Sequence, residues 1–478
     1  VRKTLLAICL LGAFAGTATA AQPNELTLYR SDDASLFGND GAPVQAGYAL
    51  VREQRTLQLD KGVQDVALGG LPRYLDPEAL TLEVPGGSVQ VLSQRLHLAQ
   101  GADALVGDLL GRQVDVLAND GQTLATGKLV SARDGALQIR QGDNTLVFRD
   151  YTAVRVAGDV DSGARLNLRV DAAKAGTTDA RLSYVTAGMG WRASYVGTLG
   201  EGGSCRLALQ SRASVANRSG SDWHDAMLTL IAGEPQLTKP GAAAPMMAMA
   251  FRGKSAAQDM PEASALADYR SYRLSAPVDL PDGTVSLLPL YRAHDLACTR
   301  TALYEVGNAY QPPQPMTNPS VMSEGSSAIT SMLEFRAFDA LPAGYLRVLA
   351  RDARGAAQIV GESRIEDTPK GGDVVVTLGN VFDLRAKRER TAFEVNQKGR
   401  AMNEAFRVTL SNAGDSARTV TVREHPSRWR EWKLASSSVA PSKVSPDTLT
   451  FKVEVPAGGE TTLDYAVRYT WTADDQPQ

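Results

Sequence analysis

Apolar and polar residues alternate one for one along much of this chain. Leu166, Leu168 and Val170 fall on one side of a stretch whose other side carries Arg165, Asn167 and Arg169. Leu449, Phe451, Val453 and Val455 repeat the pattern, as do Leu463, Tyr465, Val467 and Tyr469. A period of two puts every second side chain on the same face, the mark of a half-buried strand in an antiparallel sheet. Turn pairs punctuate the strands: Asp120-Gly121, Asp134-Gly135, Asp282-Gly283 and Gly458-Gly459. No long stretch holds a 3.6-residue period with caps at its ends, so the pattern predicts an all-β, multi-domain chain.

Four regions separate after residue 20. Residues 21–104 form an N-terminal β region with strands near 48–59, 65–68 and 80–92. Residues 105–158 carry about five short strands at 113–117, 126–132, 136–140, 144–148 and 154–156, and their turn spacing resembles a small SH3-like or Sm-like barrel. Residues 160–383 read as a central β-sandwich region, interrupted at 240–268 (Ala, Met and Pro) and 311–327 (Pro and Ser). Both interruptions are too poor in large apolar residues to order themselves and are expected to be mobile loops. Residues 391–471 look like a C-terminal immunoglobulin-like sandwich. The stretch from Ser214 through Asn217 to Gly220 faintly echoes that from Thr409 through Asn412 to Gly414. Each is a strand ending in an Asn/Gly turn, a feature common enough in sandwiches that it is not read as a repeat.

The first twenty residues bear on the compartment. Arg2 and Lys3 precede an apolar run at 5–15, and Ala18-Thr19-Ala20 is a small-x-small cleavage site. Residues 1–20 are therefore expected to be a signal peptide, with the mature chain starting at Ala21 and residing in the periplasm or outside the cell. The apolar run is too short to cross a hydrocarbon core of ~30 Å, and no later stretch reaches the ~18–20 apolar residues that a spanning helix needs. Cys9 leaves with the leader. Cys205 and Cys298 remain, and two thiols in an oxidising compartment read as one disulfide, the alternative being two buried free thiols. A formal net charge of -3 on 478 residues gives no electrostatic footprint for nucleic acid.

Several blocks of residues carry a resemblance. They are the stretches 184–195 (YVTAGMGWRASY) and 215–233 (VANRSGSDWHDAMLTLIAG), Leu341-Pro342-Ala343-Gly344, and Gly361-Glu362. Asp367-Thr368-Pro369-Lys370-Gly371, Leu378-Gly379, Phe382-Asp383-Leu384 and Pro456-Ala457-Gly458-Gly459 complete the set. In this order the chain resembles, over roughly 180–471, a bacterial domain-of-unknown-function family shared with mucoidy-inhibitor proteins. The resemblance implies an exported β-sandwich protein and brings no catalytic residues with it. The mucoidy-inhibitor proteins look to carry a helical coiled segment before the shared domain, where this chain reads as a small barrel.

Candidate chemistry is sparse. His97, His224, His294 and His425 are not at metal-ligand spacing from one another. Asp222, His224, Asp225, His294 and Asp295 could meet across strands, although polar turn residues are the commoner outcome. Gly253-Lys254-Ser255 lacks the first glycine of a phosphate loop, and Gly188-x-Gly190-x-x-Ala193 is followed by a strand pattern where a dinucleotide site needs a helix. Asp159-x-Asp161 lacks the later ligands of a calcium loop. Met246, Met247 and Met249 are soft thioether ligands of the type that suits Cu(I). In 423–432, Arg428, Trp429, Arg430 and Trp432 alternate cation and indole. Exposed, they would suit an anionic polysaccharide; packed inward, they would anchor a core. The basic run 385–390 reads as a solvated connector between sandwiches, and Trp191 and Trp223 as core anchors.

The expectation is a non-enzymatic binding or structural component of the cell envelope, needing no cofactor, with an envelope protein or polysaccharide as partner. The alternatives are an envelope hydrolase drawing on Asp222, Asp225 and Glu234, and a periplasmic copper-binding protein using the Met loop.

Overall fold

The alternation becomes strand almost throughout: strands make up 65% of the chain and helix 2%. The computed structural model describes residues 24–38, 44–98, 106–107, 109–133, 135–158, 160, 164–201, 204–233, 262–266, 269–320 and 327–478. Among them no helix is long and apolar enough to cross a membrane. The chain forms two units, one of Val1–Trp191 with Val215–Ser286 and one of Arg192–Ser214 with Leu287–Gln478.

In the first unit the strands Tyr269–Arg273, Trp223–Ala232, Glu25–Tyr29, Ala49–Leu59 and Gly176–Thr186 lie side by side in that order. Glu25–Tyr29 is a parallel partner of Trp223–Ala232 and an antiparallel partner of Ala49–Leu59. A parallel pair cannot be closed by a hairpin, and here about two hundred residues of chain run between the two strands. A second sheet sets Ala164–Ala172 between Gly62–Leu71 and Val89–His97. There Leu166, Leu168 and Val170 are all buried, as their alternation predicts. A five-stranded antiparallel sheet follows the order Ala153–Val156, Gln113–Leu117, Thr123–Arg133, Ala136–Gln141, Asn144–Phe148. It surrounds a small core of its own, with Val114, Val116, Leu129, Leu137 and Ile139 at its centre.

The second unit is built on long antiparallel ladders. Asp373–Asn396 pairs with Ala401–Asn412, which pairs with Gly459–Thr470. Arg418–Glu424 runs parallel to residues 302–306 on one side and antiparallel to Thr448–Val455 on the other. Its core joins Phe406, Val422, Trp429, Phe451, Tyr465 and Tyr469 to Tyr304, Ile329, Leu384 and Ala386. The core thus reaches well upstream of residue 391, where the sequence pattern had placed the edge of a separate sandwich. The basic run 385–390 is not a solvated connector. It lies within the single strand Asp373–Asn396, with Ala386 and Arg388 facing inward and Lys387 and Glu389 outward. Charge density concealed the period of two.

The faint echo between 214–220 and 409–414 is also more than a shared turn. Asn217 and Asn412 each end a twelve-residue strand and are each buried. The Asn217 amide donates to the carbonyls of Ser221 and Leu280, and its oxygen accepts from the Ser219 N–H. The Asn412 amide donates to Ser416 and Val455, and its oxygen accepts from the Gly414 N–H. The following residue closes the match: Arg218 N–H donates to Gly188 O, and Ala413 N–H donates to Asp383 O. The paired positions 188 and 383, 217 and 412, 218 and 413, and 221 and 416 all stand 195 residues apart. Leu280 and Val455, which both precede a proline, pair with Trp223 and Arg418 at matching positions of the next strand. The chain therefore carries the same strand–crossover–strand motif twice.

Candidate functional site

A group of buried, mutually bonded ionisable side chains lies in the core of the C-terminal motif. Asp373–Asn396 supplies Arg388 and Arg390, Ala401–Asn412 supplies Glu404, Arg418–Glu424 supplies Glu424, and Gly459–Thr470 supplies Tyr465. Each sits at an inward position of its strand, so period two carries the charges inside as it carries the apolar residues. Arg388 Nη2 meets Glu424 Oε1 at 2.8 Å, with both side chains only 4% exposed. Tyr465 donates to the other Glu424 oxygen at 2.5 Å, and Arg388 lies 3.5 Å above the Phe406 ring.

Burial works against both charges of this pair. It disfavours the Arg388 cation, but Glu424, Tyr465 and Glu404 together outweigh this and hold the guanidinium above its ordinary pKa. Burial also raises the Glu424 carboxyl, opposed by Arg388 and by the Tyr465 hydroxyl. The 2.8 Å contact to a cation and the 2.5 Å contact from a hydroxyl donor are those of a carboxylate, and we take the pair as ionised. The Tyr465 phenol is pushed well up, by burial first and by Glu424 second.

A second set adjoins it. Arg428 Nε donates to Glu404 Oε2 at 2.9 Å, and Arg390 reaches the other Glu404 oxygen at 3.5 Å. Both guanidinium groups also lie over the Phe393 ring, at 4.4 and 5.1 Å. Their remaining donors bind a strap formed by residues 315–319. Arg428 donates to the carbonyls of Met316 and Asn318, and Arg390 to that of Pro319. Met316 N–H donates back to Arg428 O, and Thr317 N–H to Gln478 O. This part of 311–327, read from composition as mobile, is bonded along its length. Composition registers low apolar content and is blind to carbonyls captured by distant arginines. Nearby, the Tyr304 hydroxyl and Trp429 indole N–H are buried without a hydrogen-bond partner.

The 423–432 cluster is largely interior. Arg428 and Trp429 are buried, and Trp432 packs against the core while its indole N–H donates to Pro446 O at 2.8 Å. Arg430 is exposed, stacks on Trp429 and approaches Asp475 at 3.8 Å. The four residues therefore do not form one open face. Cys205 and Cys298 are disulfide-bonded across 93 residues, and Cys298 N–H donates to Cys205 O.

The remaining candidates disperse. His224 lies 3.7 Å from Asp279, which also accepts from the Asp225 N–H. Asp222 accepts from the Asp282 N–H, and Asp282 from that of Gly220. These carboxylates brace turns. His294 stacks on Phe338, His97 meets Asn167, and His425 bridges Asp447 O and Glu305. Trp191 and Trp223 are buried, and the Trp191 indole N–H donates to Ile231 O. Among the described residues no group of three or more His, Cys, Asp or Glu could hold a metal ion. Glu234, Met246, Met247 and Met249 lie outside the described residues.

Sequence reasoning missed Arg388, Arg390, Glu404 and Glu424. The available signal was their phase: each falls in step with the apolar positions of its own strand. Residues 180–473 match the model of Domain of unknown function DUF4139. No curated protein matches the chain.

Proposed function

The chain belongs to the DUF4139 family, and on that premise we propose that it is an exported, non-enzymatic binding or structural component of the cell envelope. One observation carries the reading. The Arg388–Glu424–Tyr465 group is bonded within itself across strands, and the Arg390–Glu404–Arg428 group is bonded within itself and, through its two arginines, to the strap, so their charge is used to join chain segments and not to face a substrate. A general acid or base needs an open approach to the proton it moves, and the Arg388, Glu424, Glu404 and Arg428 side chains are only 4–5% exposed. The basic and apolar pattern of residues 1–20 and the Cys205–Cys298 disulfide support export. The partner would be an envelope protein or a polysaccharide.

Cross-linking in intact cells, followed by mass spectrometry of what the mature chain captures, tests the proposal. One recurrent envelope partner is expected. Recovery of the chain alone and monomeric, with hydrolytic activity in an envelope-substrate screen, would overturn it.

A further inference from the structure

The twofold motif supplies a comparison within one molecule, and on one sheet face of the second unit it shows cations balanced in two ways. Residues 357–365, 344–351, 192–199, 206–214 and 287–306 lie side by side in that order. Ala193, Tyr195 and Leu199 are buried, so Arg192, Ser194, Val196 and Thr198 belong to the opposite face. The same alternation turns Gln210 and Arg212 outward from Leu209 and Ser211. Ser194 pairs with Tyr345 on one side. On the other its hydroxyl donates to Arg212 O at 3.4 Å, and Gly200 N–H donates to Arg206 O at 2.8 Å, which sets Ser194 opposite Arg212. Tyr345, Ser194 and Arg212 thus form one row. With strands ~4.8 Å apart, the tyrosine and the arginine stand roughly 10 Å from each other across a low serine.

The Arg192 guanidinium lies over the Tyr345 ring at 5.1 Å, and Arg347, two residues along, is held by Glu362 at 2.6 and 2.9 Å. Tyr345 is 38% exposed. Arg212 is exposed and forms no ion pair among the described residues. In the C-terminal motif the residues 195 positions on from Arg192 and Arg212 are Lys387 and Arg407, again cations. There each has a carboxylate of the protein: Lys387 meets Glu389 at 2.9 Å, and Arg407 meets Asp464, opposite it on the next strand, at 2.7 Å. Position 389 corresponds to Ser194. The strand beside Arg212 brings Tyr291, whose N–H donates to the Ser211 hydroxyl, where the strand beside Arg407 brings Asp464. The cations recur in both motifs and these carboxylates do not.

We propose that this face binds an acidic polysaccharide, with a sugar ring lying on Tyr345 and a uronate carboxylate taking at Arg212 the place that Asp464 takes at Arg407. The proposal rests on the binding role proposed above and selects the polysaccharide from its two partner classes. The backbone argues against a protein segment. Residues 192–199 are flanked by a paired strand on each side, so they offer no edge to an added peptide strand. What the face offers is an aromatic ring and a planar guanidinium, groups suited to the apolar side of a pyranose and to carboxylate oxygens.

The test titrates the mature chain with hexagalacturonate by calorimetry, with maltohexaose as the neutral control. Saturable binding of the acidic oligomer is expected, and none of the neutral one. Arg212→Gln and Tyr345→Ala should each weaken binding at least about tenfold, whereas Arg407→Gln, at the cation already matched, should leave it within about twofold. Melting temperatures are measured in parallel, and R212Q, which alters an exposed side chain, should keep that of the parent. No saturable binding of hexagalacturonate, equal binding to R212Q, or equal binding of maltohexaose overturns the proposal. So does a decaglutamate peptide that binds more tightly through the same residues, which would make the occupant an acidic protein segment. If hexagalacturonate fails while cross-linking still captures a recurrent envelope partner, this face falls and the binding role stands. If it binds through Arg212 and is hydrolysed, the face stands and the non-enzymatic reading falls.

Discussion

Replacing Glu424 with leucine removes a buried carboxylate at nearly constant volume and leaves two groups stranded. Arg388, 4% exposed, loses its counter-ion, and Tyr465 loses the acceptor for its hydroxyl. Breaking one side of a buried ion pair costs about 3–5 kcal/mol, because the remaining charge stays out of water without compensation. For a cooperative unit of about 200 residues, in which 1 kcal/mol moves the midpoint by roughly 2–4 °C, this corresponds to a fall of about 6–20 °C. The double replacement Glu424→Leu with Arg388→Met removes both charges, and buried pairs exchanged for apolar residues are commonly neutral or more stable. The double variant still strands the Tyr465 hydroxyl, at about 1–3 kcal/mol, but should fall well short of the summed cost of the two singles, a coupling of at least about 3 kcal/mol. Calorimetry gives the midpoints, and hydrogen exchange in Arg418–Glu424 and Gly459–Thr470 places the loss. A single-variant midpoint within about 2 °C of the parent would refute the reasoning, given the conversion used. So would a double variant as unstable as the two singles summed.

Three further outcomes follow from contacts described above. Cys205→Ser with Cys298→Ser, or reduction, should lower the stability of the second unit by about 2–4 kcal/mol, seen as a shift of the urea midpoint that added reductant does not enlarge in the variant. Asn217→Ala and Asn412→Ala should each cost about 1–3 kcal/mol by calorimetry, since each strands the same set of backbone groups; Asn412→Asp should be no milder, because a carboxylate cannot donate to the Val455 and Pro456 carbonyls. Burial alone would raise the Glu305 carboxyl, but hydrogen bonds from His425 and Arg423 win and hold it below its ordinary value of 4.5. A depressed carboxyl contributes stability that is present above its unfolded pKa and lost as pH falls through the folded one. Glu305→Gln should accordingly flatten the acid limb below pH 4.5 in midpoint-versus-pH curves, and an unchanged limb would contradict that assignment.

The fold class was legible because burial in a sheet writes itself at period two, as at Leu166, Leu168 and Val170 or Leu449 through Val455. The disulfide was legible from the two cysteines left after an expected leader, on the expectation of export. What misled was charge. Arg388 sits between Lys387 and Glu389 in a run whose composition is that of a solvated surface, yet its phase matches the buried Leu384 and Ala386. Arg428 and Trp429 were read as either face or core, and only the position of Glu404, in a strand 24 residues earlier, decides for the core. The crossover was hidden for another reason. What distinguishes Asn217 and Asn412 from other turn asparagines is a bond to a strand-end carbonyl far along the chain, at Leu280 and at Val455. No local window contains both partners.

The two motifs also bear on why the charges are there. Counting 195 residues back, Arg388, Arg390 and Glu404 correspond to Ala193, Tyr195 and Leu209, all buried and all uncharged. Beyond Asp225, whose φ of 50° marks one extra residue in the N-terminal motif, the count shortens by one and Glu424 corresponds to Leu230, also buried. The same strand pattern is thus filled once with apolar side chains and once with ions. Burying ions is not required by the fold, and is not in itself a route to greater stability. What the ionic version adds is donors left over after the carboxylates are matched, and those of Arg390 and Arg428 go to the carbonyls of Met316, Asn318 and Pro319. The counterpart of Arg390, Tyr195, gives one donor, to the Pro342 carbonyl, where the two arginines reach three carbonyls of the strap. The cluster is best understood as the means by which a polar, proline-rich segment with little to bury is fixed to an apolar core.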